Sequence, residues 1–229
     1  MYFQDRFLNA KRTLRAVRSV LLGQACAACD TPCFEAPVCK ACTLSLVVSP
    51  RCPRCAVVQR AGALCGACVT KPPAFDAALC VSSFSAPLAG LVAQLKFEKH
   101  LVLAPWFAAQ LAPLLGDQAF DAIIPVPLHP ARLQERGFNQ SASIAACLPF
   151  PLVHALDRLR DTPSQRTVSA SQRFANVKGA FAANTDLTGL NVLLIDDVVT
   201  TSATVQAASL ALKRAGAARV TVLCIARVS

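Results

Sequence analysis

The stretch Asn191-Val192-Leu193-Leu194-Ile195-Asp196-Asp197-Val198-Val199-Thr200-Thr201-Ser202-Ala203-Thr204-Val205 narrows the folds open to this chain more than any other. Residues 192–195 are apolar and rich in strand formers, which suits a strand covered on both faces. Asp196 and Asp197 fall where that strand is expected to end. Ligands of open α/β sheets gather at the carboxyl edge of the strands. Thr200, Thr201, Ser202, Ala203 and Thr204 then open a segment that reads as helix to about Arg214. Backbone N–H groups and hydroxyls at a helix N-terminus attract anions. Two carboxylates suited to sugar hydroxyls, beside a loop suited to phosphate, describe a pocket for a ribose 5-phosphate.

The rest of the C-terminal two thirds alternates between strand-like and helix-like segments. Strands are expected at 75–84, 121–124, 180–183, 191–195 and 219–227, and helices at 87–96, 101–115, 139–148 and 202–215, with Gly216 capping the last. Such alternation predicts an α/β domain with a mainly parallel sheet flanked by helices.

Ahead of it lies a cysteine array. Cys26-x-x-Cys29 and Cys39-x-x-Cys42 are followed by Cys52-x-x-Cys55 and Cys65-x-x-Cys68, the same unit twice. A Cys-x-x-Cys turn aims two thiolates at one tetrahedral Zn²⁺, so eight ligands make two closed sites, structural and not catalytic. The spacing leaves the pairing open between sequential sites, interleaved sites and a single zinc. Cys33 stands outside the repeat, and Cys80, Cys147 and Cys224 read as buried thiols in apolar segments. A disulfide framework is the rival reading, and nothing marks the chain as secreted. The three histidines, His100, His129 and His154, have no ligand pattern.

Upstream, Phe3, Phe7, Ala10, Leu14, Val17 and Leu21 make a helical apolar stripe with Lys11, Arg12, Arg15 and Arg18 mostly off it. The expected organisation is an amphipathic helix at 1–24, a double zinc-ribbon module at 25–71 and the α/β domain at 72–229. No window is long and apolar enough to span a bilayer, and the basic residues break up any secretory signal, so the expected location is cytoplasmic. A net charge of +10 favours a phosphorylated ligand or a polyanionic partner.

Two further segments carry polar chemistry. The run from Pro125 to Gln140 follows an expected strand and holds Arg132 and Arg136, whose planar donor forks suit phosphate oxygens. The polar, hydroxyl-rich run 161–179 is placed to serve as a lid over a site.

Residues 191–205 resemble the phosphoribosyl pyrophosphate (PRPP) motif of type I phosphoribosyltransferases. The resemblance implies that Asp196 and Asp197 hold the ribose hydroxyls of PRPP and that residues 200–204 wrap its 5′-phosphate, with Mg²⁺ accompanying the ligand. It also implies a pyrophosphate-side role for Arg132 and Arg136. Ser202 stands where that family usually has Gly. Taken together, the Cys-x-x-Cys knuckles, Leu95-Lys96-Phe97, Pro125-Val126-Pro127, Arg136-Gly137-Phe138-Asn139-Gln140, Thr162-x-x-Gln165, Arg173-x-x-Asn176-Val177 and Ile195-Asp196-Asp197-Val198-Val199-Thr200-Thr201 resemble the ComF family of competence-associated proteins. This implies a type I phosphoribosyltransferase-like fold with an N-terminal zinc module, and a part in DNA uptake by natural transformation. The implied partners are single-stranded DNA and the uptake machinery. Three functions follow as expectations: a transferase acting on PRPP, a single-stranded nucleic-acid binding module, and a nucleotide sensor that keeps the phosphate pocket without turnover.

Overall fold

The computed structural model describes residues 24–46, 49–160 and 179–228. The expected N-terminal helix and nearly all of the expected lid lie outside the described residues. The chain divides into two compact units, Met1–Leu46 and Val47–Ser229.

In the first unit, β1 (Gln24–Ala25) pairs antiparallel with β2 (Pro32–Cys33), and a short helix α1 (Lys40–Leu44) follows. Only Cys26 and Val38 are buried among its described residues. Two buried side chains cannot offset the entropy of ordering such a segment, so something other than apolar burial must hold it.

The second unit opens with the second cysteine pair-of-pairs, which includes α2 (Gly66–Thr70), and continues into β3 (Ala77–Ser83), α3 (Leu88–Phe97), α4 (Leu103–Leu111), β4 (Ala122–Pro125), α5 (Pro130–Arg136), α6 (Gln140–Ala145), β5 (Leu156–Arg158), β6 (Phe181–Ala183), β7 (Asn191–Val199), α7 (Ala203–Arg214) and β8 (Arg219–Arg227). The main sheet has the order β3-β8-β7-β4, with every pair parallel. β5 and β6 form a separate antiparallel pair.

Side-chain parity explains why β7 and β8 read as unbroken apolar runs. Val192, Leu194, Val220 and Val222 pack in one cluster with Val205, Ala208 and Leu212 of α7. Leu193, Ile195, Leu223 and Ile225 alternate with them and are fully buried outside that cluster. Both sheet faces are therefore covered, as parallel strands require. Helix α3 buries Leu88, Leu91, Val92 and Leu95, the spacing of one helical face. Gly216 ends α7 with φ 94°, and Thr188 Cα lies 2.8 Å from where a Cβ would sit, so both backbone and packing demand glycine there.

The structure adds β5, which the sequence reading did not expect, and differs from that reading in three further places. β7 runs on through both acids to Val199, because Val198 and Val199 are strand formers and pair with Ala226 and Arg227. The segment after β4 contains a helix, α5, opened by Pro130 in its first turn and closed by Gly137 at φ 82°. Cys147 is exposed, its thiol donating to Ser143 O at 3.5 Å.

Candidate functional site

The acid pair sits on β7, and because strand side chains alternate, the two carboxylates leave on opposite faces. Asp196 shares a cross-strand row with Cys224 and is half-buried. Asp197 faces the other way, is 3% exposed, and meets Lys96 Nζ of α3 at 2.8 Å. Each carboxylate also accepts the N–H of the following residue: Asp197 N donates to Asp196 Oδ1 at 2.9 Å, and Val198 N to Asp197 Oδ1 at 2.6 Å. Burial, then the Asp197 charge, pushes the Asp196 carboxyl up to about 7 against the opposing pull of Lys96.

Thr200 to Ser202 turn the chain from β7 into α7. Ser202 is left-handed, with φ 62° and ψ 0°, and its carbonyl accepts the helix's first N–H, from Gln206, at 2.8 Å. Left-handed backbone costs a residue with a Cβ about 1–2 kcal/mol and costs glycine almost nothing, which is why glycine suits the position. A recess of about 20 Å³ is lined by Asp196, Thr200, Ser202, Ala203 and Thr204. It has room for about one water or one anionic oxygen. Asp197 does not line it. Ser202 and Ala203 also wall a second, mostly apolar cavity of about 800 Å³ that reaches Cys65, Cys68 and Phe75. Arg227, buried at the end of β8, braces the turn by donating to Val199 O at 3.0 Å and to Thr200 O, while its Nε donates to Cys55 O at 3.3 Å.

The Arg136-to-Gln140 motif proves to be a helix junction. Arg136 donates to Gln140 Oε1 at 2.6 Å, and Asn139 caps α6 through Oδ1 while its Nδ2 donates to Val126 O at 3.0 Å. The Arg136 guanidinium lies 5.5 Å over the Phe97 ring, and Phe97 follows Lys96, so Arg136, Phe97, Lys96 and Asp197 form a continuous chain of contacts. Arg132 is one turn earlier on α5. Lys96 was visible in the sequence only as part of a motif. Nothing local to it discloses that it neutralises an acid on β7.

The cysteines form two separate groups, Cys26, Cys29, Cys39 and Cys42 in the first unit and Cys52, Cys55, Cys65 and Cys68 in the second, with each group's sulfurs within 4.8 Å of one another. This resolves the pairing as sequential. The Cys29–Cys39 and Cys55–Cys65 sulfur separations are 3.8 and 3.6 Å. A tetrahedron of about 2.3 Å Zn–S bonds has edges of about 3.8 Å. The two groups are built alike: Cys26 Sγ accepts the N–H of Cys39 at 3.2 Å and Cys52 Sγ that of Cys65 at 3.4 Å, while Asp30 and Ala56, each just after a knuckle, are left-handed. Burial opposes ionisation of Cys52, yet the N–H groups of Cys65, Cys55 and Arg54 bring it down to about 6. Both quartets are thus compatible with structural zinc.

A parallel sheet with an acid pair near its carboxyl edge, a tight turn into a helix and two four-cysteine groups define an α/β protein that carries two candidate structural-metal knuckles. No protein-family model matches the chain. DNA utilization protein YhgH of Salmonella typhimurium is 39% identical over 179 residues, spanning 71% of this chain and 77% of that protein. Competence protein F of Haemophilus influenzae is 31% identical over 182 residues, spanning 71% of this chain and 78% of that one. Competence protein ComFC of Bacillus subtilis is 34% identical over 112 residues, 49% of this chain and 46% of that one. The chain belongs to the ComF family. Among solved structures, the allosteric regulatory enzyme of purine biosynthesis is similar at 19% identity and a TM-score of 0.36, over 53% of this chain and 25% of that one. Among the described residues no helix is long and apolar enough to cross a membrane.

Proposed function

We propose that the protein binds PRPP, or a closely related ribose 5-phosphate ligand, at the β7–α7 turn, and that it serves DNA uptake by handling incoming single-stranded DNA. The observation that carries the ligand reading is the recess shared by Asp196 and residues 200–204 at the N-terminus of a twelve-residue helix. N–H groups and hydroxyls there favour a phosphate oxygen, and Asp196, which lines the same recess, accepts a sugar hydroxyl. Asp197 pairs with Lys96 on the opposite face of β7, and Arg136, with Arg132 beside it, supplies positive charge for a pyrophosphate. Mg²⁺ bound with the ligand would neutralise phosphate charge. Zn²⁺ in each cysteine quartet would be structural.

The DNA reading is supported by the names of the relatives and by the basic charge of the chain. Isothermal calorimetry with PRPP and Mg²⁺ tests the pocket: the unsubstituted protein is expected to bind, and Asp196→Asn/Asp197→Asn to lose binding. Equal binding by both would remove the ligand reading. Pyrophosphate release with a panel of acceptor bases separates a transferase from a sensor. A salt series of single-strand binding tests the backbone grip, which should weaken steeply as salt rises.

A further inference from the structure

Cys80 on β3 and Cys224 on β8 are direct partners in the parallel ladder, and Cys224 is in turn paired with Asp196 on β7. In-register neighbours of a parallel sheet project to the same face, so two sulfurs and a carboxylate form one row across three strands. Neighbouring strands lie about 4.8 Å apart, inside the Cα separation of about 4.4–6.8 Å that a disulfide bridges. Cys80 Sγ donates to Ser82 O at 3.1 Å and Cys224 Sγ to Leu79 O at 3.6 Å. Neither sulfur belongs to a four-cysteine group.

The two sulfurs are not equivalent. The Cys224 side chain, helped by the Arg51 and Arg227 charges, holds Cys80 below the ordinary thiol range against the effect of burial. The Cys80 side chain, with burial, pushes Cys224 well above it. A sulfur that gives up its proton more readily, beside one that holds its own, suits an attacking thiol and its resolving partner. The pair is buried, at 6% and 1% exposed, so only a small oxidant reaches it without unfolding. β3 is one of the two edge strands of the described four-stranded sheet.

We propose that Cys80 and Cys224 form an oxidisable pair which a peroxide closes to a cross-strand disulfide, fastening the edge strand β3 to β8 in the row that contains Asp196. Cys80, on giving up its proton, attacks one peroxide oxygen, the O–O bond breaks, and a sulfenic acid and hydroxide result. The Cys224 thiol then attacks the Cys80 sulfur, the S–S bond forms, the S–O bond breaks, and the leaving oxygen departs as water with the Cys224 proton. The hydroxide is neutralised by the proton Cys80 gave up. Two thiols lose two electrons, and hydrogen peroxide is reduced to two waters. This pair stands apart from the ligand site's own chemistry and does not depend on PRPP binding.

The test uses the full chain with its metal loaded. The protein is treated with hydrogen peroxide at stoichiometric amounts, free thiols are blocked, and the digest is read by mass spectrometry alongside metal content and amide exchange. The expected result is a linked species joining the peptides that carry residues 80 and 224, lighter by two hydrogens than their sum and reversed by a dithiol, with metal retained. Exchange of β3 amides should slow in the oxidised protein, and Cys80→Ser and Cys224→Ser should each abolish both changes. The linkage is read in the unsubstituted protein, so it does not depend on a variant folding. Residues 80 and 224 remaining unlinked while metal is retained, or a link that forms only after metal is lost, would overturn the proposal.

Discussion

The quartet Cys26, Cys29, Cys39 and Cys42 and the quartet Cys52, Cys55, Cys65 and Cys68 share one spacing and nearly one local geometry, yet their surroundings differ. All four cysteines of the second are buried and belong to the hydrophobic cluster that includes β7, β8 and α7. In the first only Cys26 is buried, and its unit has almost no apolar interior among the described residues. Identical ligand spacing therefore supports two designs. In the first, a bound metal would be the main support of the described residues. In the second, the knuckles are also packing surface for a domain with its own core.

The largest expected effect tests this contrast directly. Cys65→Ser should unfold or strongly destabilise the sheet domain, because a structural site contributes about 10–16 kcal/mol of binding free energy while domains are stable by only about 5–15 kcal/mol. Cys29→Ser should also lose one metal but leave the main thermal transition in place. Metal analysis should fall from two per chain to one in each variant, with calorimetry separating them. Equal melting behaviour would break the comparison.

Next in size is Lys96→Met. It leaves the Asp197 charge buried without its partner, and should cost the sheet domain about 3 kcal/mol in urea denaturation while the metal content of both quartets stays unchanged.

A smaller effect follows from Asp196. Its carboxyl is raised from 3.8 to about 7 in the folded protein, so folding favours the protonated form. Stability from this group is full below about pH 4 and is lost as pH rises through about 7. Ligand binding should run the other way. An ionised Asp196 accepts a sugar hydroxyl better, so PRPP affinity should tighten as pH climbs through about 7. Asp196→Asn should flatten both profiles, and a calorimetric series across that range reads them. The smallest expected change is Ser202→Gly. Relief of the left-handed backbone should raise stability by no more than about 1 kcal/mol, because the freer unfolded chain cancels part of the gain. A loss of stability would mean that the Ser202 side chain contributes contacts of its own.

Much of this arrangement could be read from the sequence, and the failures have physical reasons. β8 spans 219–227 as expected, and α7 is displaced by a single residue at each end, because unbroken apolar runs and a glycine cap are local signals. The cysteine spacing announced the knuckles, but their pairing depends on how the chain folds back, and Cys-x-x-Cys carries no record of that. Helix α5 was hidden in a proline-rich, charged run. The opposite projection of Asp196 and Asp197 follows once β7 is seen to continue past them. It could not follow while the strand was taken to stop there. The Lys96–Asp197 contact joins residues far apart in sequence, and no periodicity encodes it.

Arg227 gives the second quartet a reach beyond its own sulfurs. One guanidinium grips a carbonyl of a cysteine knuckle with one arm and the carbonyls of Val199 and Thr200, where β7 turns into α7, with the other. A knuckle that slackens thus withdraws a fixed point from the turn that lines the recess beside Asp196. If the quartet holds metal and the recess a ligand, the two would answer to each other through a single side chain.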